Sequence, residues 1–162
     1  MKGFDRNDTD IKQFSGVELC ERLSRVMWES ERSEWLECAD FIQTALFLID
    51  FDTELNMEGI FSFLENSIGH YAPNIIKAFR DIGDDKDADI LSEICRLAPP
   101  DLIRGEFLNG DYSEYDISAF DDIHELNEEV LEKIEILESQ LYLNTGFNIW
   151  QLLYNYLEIH LK

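Results

Sequence analysis

Apolar residues recur at helical spacing along most of the chain and predict a series of amphipathic helices. The predicted helices cover about residues 16–29, 34–51, 57–67, 73–82, 87–97, 121–142 and 147–161. Several starts carry capping residues: Ser15 with Glu18 forms a capping-box pair, Ser33 and Asn56 are N-cap candidates, and Pro73 lies in a first turn. No segment alternates with a period of two, so the predicted fold class is all-α, a compact single-domain bundle of about six to eight helices. Residues 1–14 are predicted to be an N-terminal arm, and residues 15–162 a single helical domain.

The predicted helix 121–142 is apolar along one stripe and acidic on the opposite face. At ~100° per residue, its acidic face gathers carboxylates within an arc of ~140°, whereas Glu138 lies off this face and Lys133 is the one base. From Asp121 to Glu138 such a helix rises ~26 Å, about one charge per ~3.4 Å, near the axial spacing of phosphates on one DNA strand. The face therefore predicts a surface that imitates nucleic acid, although acidic helix faces more commonly serve only solubility. Its carboxylates are Asp121, Asp122, Glu125, Glu128, Glu129, Glu132 and Glu135.

The last predicted helix is apolar over ~220° of its circumference. Such a helix lies in the middle of a domain or is partly covered by a second subunit, and the interior is the favoured placement. A homodimer formed through this helix is the alternative that the sequence leaves undecided. Its apolar residues are Phe147, Ile149, Trp150, Leu152, Leu153, Tyr154, Tyr156, Leu157, Ile159 and Leu161.

The chain carries 35 acidic and 13 basic residues, a net charge of −22 over 162 residues, and is 45% hydrophobic. That apolar content predicts a folded chain despite the charge. The negative potential repels nucleic acids and anionic lipids and attracts basic proteins, so neither a nucleic acid nor a membrane is an expected partner. Cys20, Cys38 and Cys95 form no C-x-x-C motif and are expected to be thiols in a reducing cytoplasm. The polar N-terminus lacks a signal-peptide core, and no apolar run reaches the ~18 residues that span a bilayer. The expected location is therefore cytoplasmic.

Acidic residues also cluster outside the predicted helix 121–142. A surface loop predicted for residues 99–120 adds Glu114 and Asp116 to the partner-binding candidates. Two further patches have an ordinary alternative, a solvated helix corner. The first contains the candidates Glu29 and Glu34, flanked by Glu31 and Glu37 and partly neutralised by Arg25 and Arg32. The second consists of Asp84, Asp85, Asp87 and Asp89.

Catalytic and metal-binding motifs are incomplete. The run from Asp85 begins like a calcium loop, but Ile90 stands at the required glycine and Arg96 at the required glutamate, so an acidic turn that starts a helix is the better interpretation. The His-Glu pair at 124–125 begins like a zinc-protease motif, yet Glu128 stands where the second histidine is required. Glu-x-x-His pairs, nucleophile motifs and glycine-rich phosphate loops are missing from the sequence, although carboxylate pairs alone would permit glycosidase chemistry. We expect no enzyme activity, no cofactor and no metal site.

Residues 54–91 contain a motif of backbone-shaping and apolar residues: an Asn with Gly shortly after, an aromatic-rich turn that ends in Asn, and a helix of the form Ile-x-Ala-aromatic-x-x-Ile-Gly. The segment resembles a bacterial protein family whose best-known member is an acidic DNA mimic of about this mass. One position departs from the family pattern, because Glu58 stands where a second glycine is expected before Gly59. The matching residues are Asn56, Gly59, Phe61, Phe63, Asn66, Ile76, Ala78, Phe79, Ile82 and Gly83.

The resemblance, with the mass and the charge, implies a protein that binds the DNA-contacting surface of a helix-turn-helix transcription factor, blocks operator binding and relieves repression. Carboxylates would take the positions of phosphates, so binding should weaken as salt rises. The two recognition helices of a dimeric factor lie ~34 Å apart, which favours a dimeric mimic or a second acidic patch. Two alternatives stay open: an acidic immunity-type inhibitor of a basic enzyme such as a nuclease, and a metal-buffering or structural acidic protein.

Overall fold

The computed structural model describes residues 14–103, 120–122 and 125–161. An antiparallel hairpin of β1 (Phe120–Asp122) and β2 (Glu125–Leu126) precedes α8. The predicted all-α fold class is confirmed, and of the predicted arm only Phe14 lies within the described residues. The helices are α1 (Gly16–Glu29), α2 (Arg32–Trp35), α3 (Asp40–Met57), α4 (Ile60–Glu65), a 3₁₀ helix (Ser67–Tyr71), α5 (Ala72–Asp81), α6 (Asp85–Leu97), α7 (Pro100–Ile103), α8 (Glu128–Ser139), α9 (Tyr142–Thr145) and α10 (Ile149–Leu161).

Helix α3 forms the centre of the bundle because it is apolar on nearly all sides. It packs against α1, α4, α5 and α10. The ring of Phe51 meets those of Phe63 and Phe79 edge to face, with centroids 5.1 and 5.8 Å apart, and Trp35 meets Phe47 in the same way at 5.3 Å. Each such pair stabilises the core by roughly 0.5–1.5 kcal/mol beyond simple burial. Helix α5 packs on α6 and α6 packs on α8, so α8 lies at the outside of the bundle.

The predicted helix starts at Ser15 and Pro73 are confirmed. The Ser15 hydroxyl accepts a hydrogen bond from the backbone N–H of Glu18 at 3.2 Å, and the Glu18 carboxylate accepts one from the N–H of Ser15 at 3.4 Å. Pro73 lies in the first turn of α5, where no N–H is needed. Both starts follow from local sequence, because the groups that satisfy the free N–H donors are within three residues of them.

The predicted helix 34–51 is wrong in its boundaries, and so are two N-cap candidates. The helix is interrupted between the end of α2 and the start of α3. The side-chain amide of Gln43 donates a hydrogen bond to the carbonyl of Cys38 at 2.8 Å and so satisfies an acceptor in the interruption. Ser33 therefore lies inside α2 and Asn56 lies inside the last turn of α3. Burial of the apolar side of α3 through its last turns outweighs the capping preference of a single asparagine.

The next helix begins only after a turn at Gly59. Gly59 has φ +87°, a left-handed value that favours glycine, whereas Glu58 has φ −136°, which other residues adopt freely. The missing second glycine of the family pattern therefore causes no backbone strain here. The N–H of Ile60, at the start of α4, donates to the carboxylate of Glu138 at 2.8 Å.

The predicted acidic helix 121–142 is also wrong at its ends. Helix α8 begins at Glu128, because the side chain of Asn127 accepts a hydrogen bond from the N–H of Val130 at 2.9 Å and caps it. The residues before Asn127 include the hairpin strands, so Asp121 and Asp122 lie in β1 and Glu125 lies in β2. Helix α8 is therefore ~18 Å long at ~1.5 Å per residue, shorter than the ~26 Å expected for the acidic run.

Helix α10 buries one face and crosses close to the start of α1. Ile149, Leu153, Leu157 and Leu161 are buried, which agrees with the interior placement of that face, whereas Ile159 is 69% exposed. A Cβ on Gly16 would stand 2.7 Å from the carbonyl oxygen of Tyr154, so the two backbones can meet only where a side chain is absent.

Candidate partner-binding surface

The exposed face of α8 carries four of the predicted carboxylates. Glu128, Glu129, Glu132 and Glu135 are all exposed, while Val130 and Ile134 on the opposite side are buried. The predicted division of this helix into an acidic and an apolar face is therefore correct over α8. We call the four exposed glutamates the α8 ridge.

The α8 ridge is compact. Glu128 and Glu135 are seven residues apart in one helix, which corresponds to ~10 Å along its axis. Lys133 pairs with Glu129 at 3.3 Å, and both side chains are more than half exposed, so this pair neutralises little of the ridge and adds little stability. The ridge alone is too short to follow a strand of DNA over the expected ~26 Å.

Acids on α6 lie on one side of the ridge. Arg96, which hydrogen bonds Glu93, together with Lys133 of α8, holds the pKa of Glu93 below its ordinary value. Asp89 and Asp85 follow along α6 with side chains 70% and 75% exposed, and Arg80 binds both, at 2.8 and 3.4 Å. This side is acidic but partly paired.

Further acids lie at the α3–α4 junction, which contacts the last turn of α8 through the N–H of Ile60 and Glu138. The Ser62 hydroxyl lies 2.9 Å from a carboxylate oxygen of Glu54 and 2.6 Å from one of Glu58 and can donate its single proton to either, and the Asn66 amide donates to Glu54 at 2.7 Å. Sequence reasoning missed these acids, although Glu54 and Glu58 are four residues apart at the end of α3 and so neighbours on one helix face. The turn at Gly59 adds their partners Ser62 and Asn66.

Glu138 has a structural role that explains its position off the acidic face. Its carboxylate accepts the N–H of Ile60 and so caps α4, whose own N-cap residue, Gly59, has no side chain. We expect Glu138→Ala to lower the free energy of unfolding by about 1 kcal/mol, because a helix N-terminal N–H loses its acceptor. Urea unfolding measures this, with Glu135→Ala on the same helix as a control that changes stability by less than about 0.5 kcal/mol. Equal stability of the two variants would contradict the capping role.

The predicted surface patch at Asp84–Asp89 is wrong for two of its four members. Asp84 and Asp87 are only 4% and 2% exposed. Asp84 caps α6 by accepting the N–H of Asp87 at 3.2 Å, and Asp87 accepts the N–H of Tyr142 at 2.9 Å, which ties the start of α6 to α9. The predicted acidic turn that starts a helix is thus confirmed, while these two carboxylates are unavailable to a partner.

Burial, together with a hydrogen bond and repulsion from the neighbouring Asp84 carboxyl, raises the pKa of Asp87 to about 7, against the N–H of Tyr142 and Lys86, which lower it. The folded chain therefore holds a proton on this pair that the unfolded chain releases near pH ~4. One Asp84 oxygen otherwise lacks a hydrogen-bond partner, and a proton on Asp87 can be shared with it. Loss of that proton leaves the buried carboxylates of Asp84 and Asp87 repelling each other, which destabilises the fold.

This arrangement predicts a loss of stability as the pH rises from about 4 to about 7, because the folded state binds the extra proton over that interval. Asp87→Asn keeps an acceptor for Tyr142 and cannot ionise. We expect this variant to match the wild type at pH ~5 and to exceed its free energy of unfolding by about 2 kcal/mol at pH ~8. Urea unfolding across this range is the measurement, and Asp85→Asn, at an exposed position in the same turn, should keep the wild-type profile. Parallel profiles for the wild type and Asp87→Asn would contradict the shared proton.

The N-terminal acidic patch lies on a different part of the bundle from the α8 ridge. Glu29, Glu31 and Glu37 are exposed and Glu34 is partly exposed, and α2 packs on α3 rather than beside α8. The expected neutralisation by Arg32 is wrong, because its guanidinium binds the buried carboxylate of Asp50 at 2.6 and 3.1 Å. The structure therefore does not join Glu29 and Glu34 to the α8 ridge.

Other predicted candidates lie partly or wholly outside the residues that the structure describes. Glu114 and Asp116 lie outside the described residues, and of Asp121 and Asp122 only the backbone is described. Glu125 is exposed in β2, next to α8. In the described part of the chain the three cysteines form no disulfide, and no group of three or more His, Cys, Asp or Glu side chains is placed to hold a metal ion. Among the described helices none is long and apolar enough to cross a membrane.

Comparison with known proteins identifies a matching protein family. The family model described as DMP19-like protein matches residues 36–160. The match begins after α2 and includes the whole of α8, so it covers the ridge but excludes Glu29 and Glu34. Searches of curated proteins and of solved structures give no match.

Proposed function

The chain belongs to the DMP19-like protein family, a family of DNA mimics, and we propose that it binds the DNA-contacting surface of a helix-turn-helix transcription factor, blocks operator binding and so relieves repression. In this proposal the protein acts in the cytoplasm by binding alone, without catalysis or a cofactor. The observation that carries it is the α8 ridge, four exposed carboxylates on one ordered helix within the family match.

Charge and rigidity both favour this function. Lysine and arginine side chains supply most phosphate contacts of DNA-binding proteins, and a net charge of −22 attracts such a surface over a long range. The ridge glutamates project from a capped helix whose apolar side is buried, so binding does not have to order their backbone. An acidic tail with the same charge would have to pay that entropy.

The length of the ridge bears on stoichiometry. A ridge of ~10 Å fits one recognition helix, whereas the two recognition helices of a dimeric factor lie ~34 Å apart. We therefore include in the proposal that two copies of the chain, as a homodimer or bound separately, engage one dimeric factor. The acids of α6 and of the α3–α4 junction widen the contact of each copy.

Capture followed by release with DNA tests this function. The chain is immobilised at low salt, bound proteins are identified, and each is challenged with duplex operator DNA. A helix-turn-helix factor that its own operator displaces supports the proposal. A basic enzyme, such as a nuclease, that stays inhibited and bound in the presence of operator DNA would replace it with the inhibitor alternative.

A further inference from the structure

A groove of about 380 Å³ runs beside the α8 ridge, between α4, α7, β2 and α8. Its floor is apolar, and Leu64 is almost fully buried there while the other floor residues are partly buried. The lining also includes two exposed carboxylates, Glu65 from α4 and Glu125 from β2. The floor consists of Phe61, Leu64, Ile103, Leu126 and Leu131.

Two ridge carboxylates are neighbours of a groove residue on the surface of α8. Leu131 belongs to the floor, and Glu128 and Glu135 lie three residues before and four residues after it in α8. Residues at these spacings are neighbours on a helix surface. Glu65 and Glu125 therefore line the apolar floor, and Glu128 and Glu135 adjoin it through their positions beside Leu131.

This combination selects the chemistry of an occupant. A purely apolar side chain would desolvate the rim carboxylates without pairing them, and a small cation would leave the apolar floor uncovered. An arginine side chain satisfies both parts, because its aliphatic stem covers apolar surface while its guanidinium donates to two carboxylates at once. Lysine has a similar stem but a single compact charge, so it fits a divided rim less well.

We propose that this groove receives an arginine side chain from a basic helix of the partner, an inference that rests on the proposed function and adds a specific anchoring site to it. The groove distinguishes the chain from a plain acidic surface, because phosphate-like charge alone attracts any cation equally. It predicts that the partner's helix carries an arginine next to the residues that meet the α8 ridge.

A synthetic helical peptide with arginines on one face is the probe, alongside two matched peptides in which those arginines are lysine or citrulline. The arginine peptide is expected to shift the methyl resonances of Leu126 and Leu131 in NMR spectra of the full chain. It should bind at least about fivefold tighter than the lysine peptide, and the citrulline peptide should show no measurable binding. Equal affinity for the arginine and lysine peptides, with these methyl resonances unmoved, would overturn the proposal that the groove receives an arginine side chain.

Variants separate the floor from the rim. Leu131→Gln should weaken arginine-peptide binding about fivefold without changing the slope of log Kd against log salt, whereas Glu65→Gln with Glu125→Gln should reduce that slope. Leu143→Gln, at an exposed leucine of α9, is the control that leaves both quantities unchanged. Should a floor variant unfold, the methyl shifts of the wild-type chain still decide the matter.

The outcomes for the groove and for the proposed function are distinguishable. If operator DNA displaces the natural partner but arginine peptides never reach the groove, the proposed function stands and the anchoring site is wrong. If the peptides occupy the groove but operator DNA and the chain bind a captured factor together, the anchoring site stands and the mimicry is wrong.

Discussion

Reversing three glutamates of the α8 ridge, Glu128, Glu129 and Glu132, to lysine is expected to abolish binding of the transcription factor. Each reversal removes an attraction and adds a repulsion against a basic surface. At about 0.5–1 kcal/mol for each charge lost or reversed, the triple variant should lose at least about 3 kcal/mol, more than 100-fold in Kd. Binding of the wild type and the variant to the captured factor, measured by calorimetry at one salt concentration, gives the result.

The control must separate the ridge from net charge. Reversal of Glu21, Glu37 and Asp40, exposed acids on other parts of the chain, raises the net charge by the same amount. This control triple should change Kd by less than about fivefold, because it alters only the long-range field. Circular dichroism must show the helicity of both triples preserved, since Glu128 and Glu129 also interact favourably with the N-terminus of α8. Normal binding by the folded ridge variant would show that the ridge is not the interface.

Arg32→Met is expected to lower the free energy of unfolding by about 3 kcal/mol. The Asp50 side chain is only 9% exposed, and Arg32 supplies two hydrogen bonds to it and a third to Ser67 at 3.0 Å. Removing the guanidinium leaves a buried carboxylate without its cation, a change that typically costs about 3–5 kcal/mol, and the lower end applies because Arg32 itself is 27% exposed. Urea unfolding near pH 7 measures the loss.

A second substitution shows that the uncompensated charge is the cause. In the double variant Arg32→Met with Asp50→Asn no buried charge remains, so most of the lost stability should return. Arg25→Met, at an exposed arginine of α1, should change stability by less than about 0.5 kcal/mol. A double variant no more stable than Arg32→Met would mean that lost packing, rather than charge, destabilises the single variant.

Features encoded within a few residues could be predicted from the sequence. The capping box at Ser15 and Glu18 is local, and so is the first-turn proline of α5. The exposed face of α8 was predictable because buried Val130 and Ile134 and the exposed glutamates keep the helical period. What these features share is that their physical cause lies within one or two helical turns.

The predicted start of the acidic helix was wrong because the apolar and acidic patterns both continue beyond it. The apolar and acidic periods of α8 continue in phase through residues 121–127, so periodicity alone could not separate the hairpin from the helix. The signal that was available is Asn127 itself, an N-cap residue followed by two acids in the first turn. Asn127 marks the start of α8, whereas Asn56 lies inside the last turn of α3, so a capping asparagine alone does not fix a helix boundary.

Long-range contacts could not be predicted at all. Glu138 meets Ile60 across 78 residues, and Asp87 meets Tyr142 across 55. Both acids would pass for surface charges in the sequence, and only the fold shows that one caps a helix and the other is buried. The acids that serve structure are thus separated from those free to meet a partner only when the helices are placed.

Competition between the chain and operator DNA for the captured transcription factor tests the mimicry most directly. Labelled operator duplex is bound to the factor and titrated with the chain at several salt concentrations, while anisotropy reports the bound duplex. Mimicry predicts complete displacement at a single shared site, with an apparent affinity of the chain that falls as salt rises. A complex that holds factor, chain and duplex together, with no DNA released at saturation, would contradict the account.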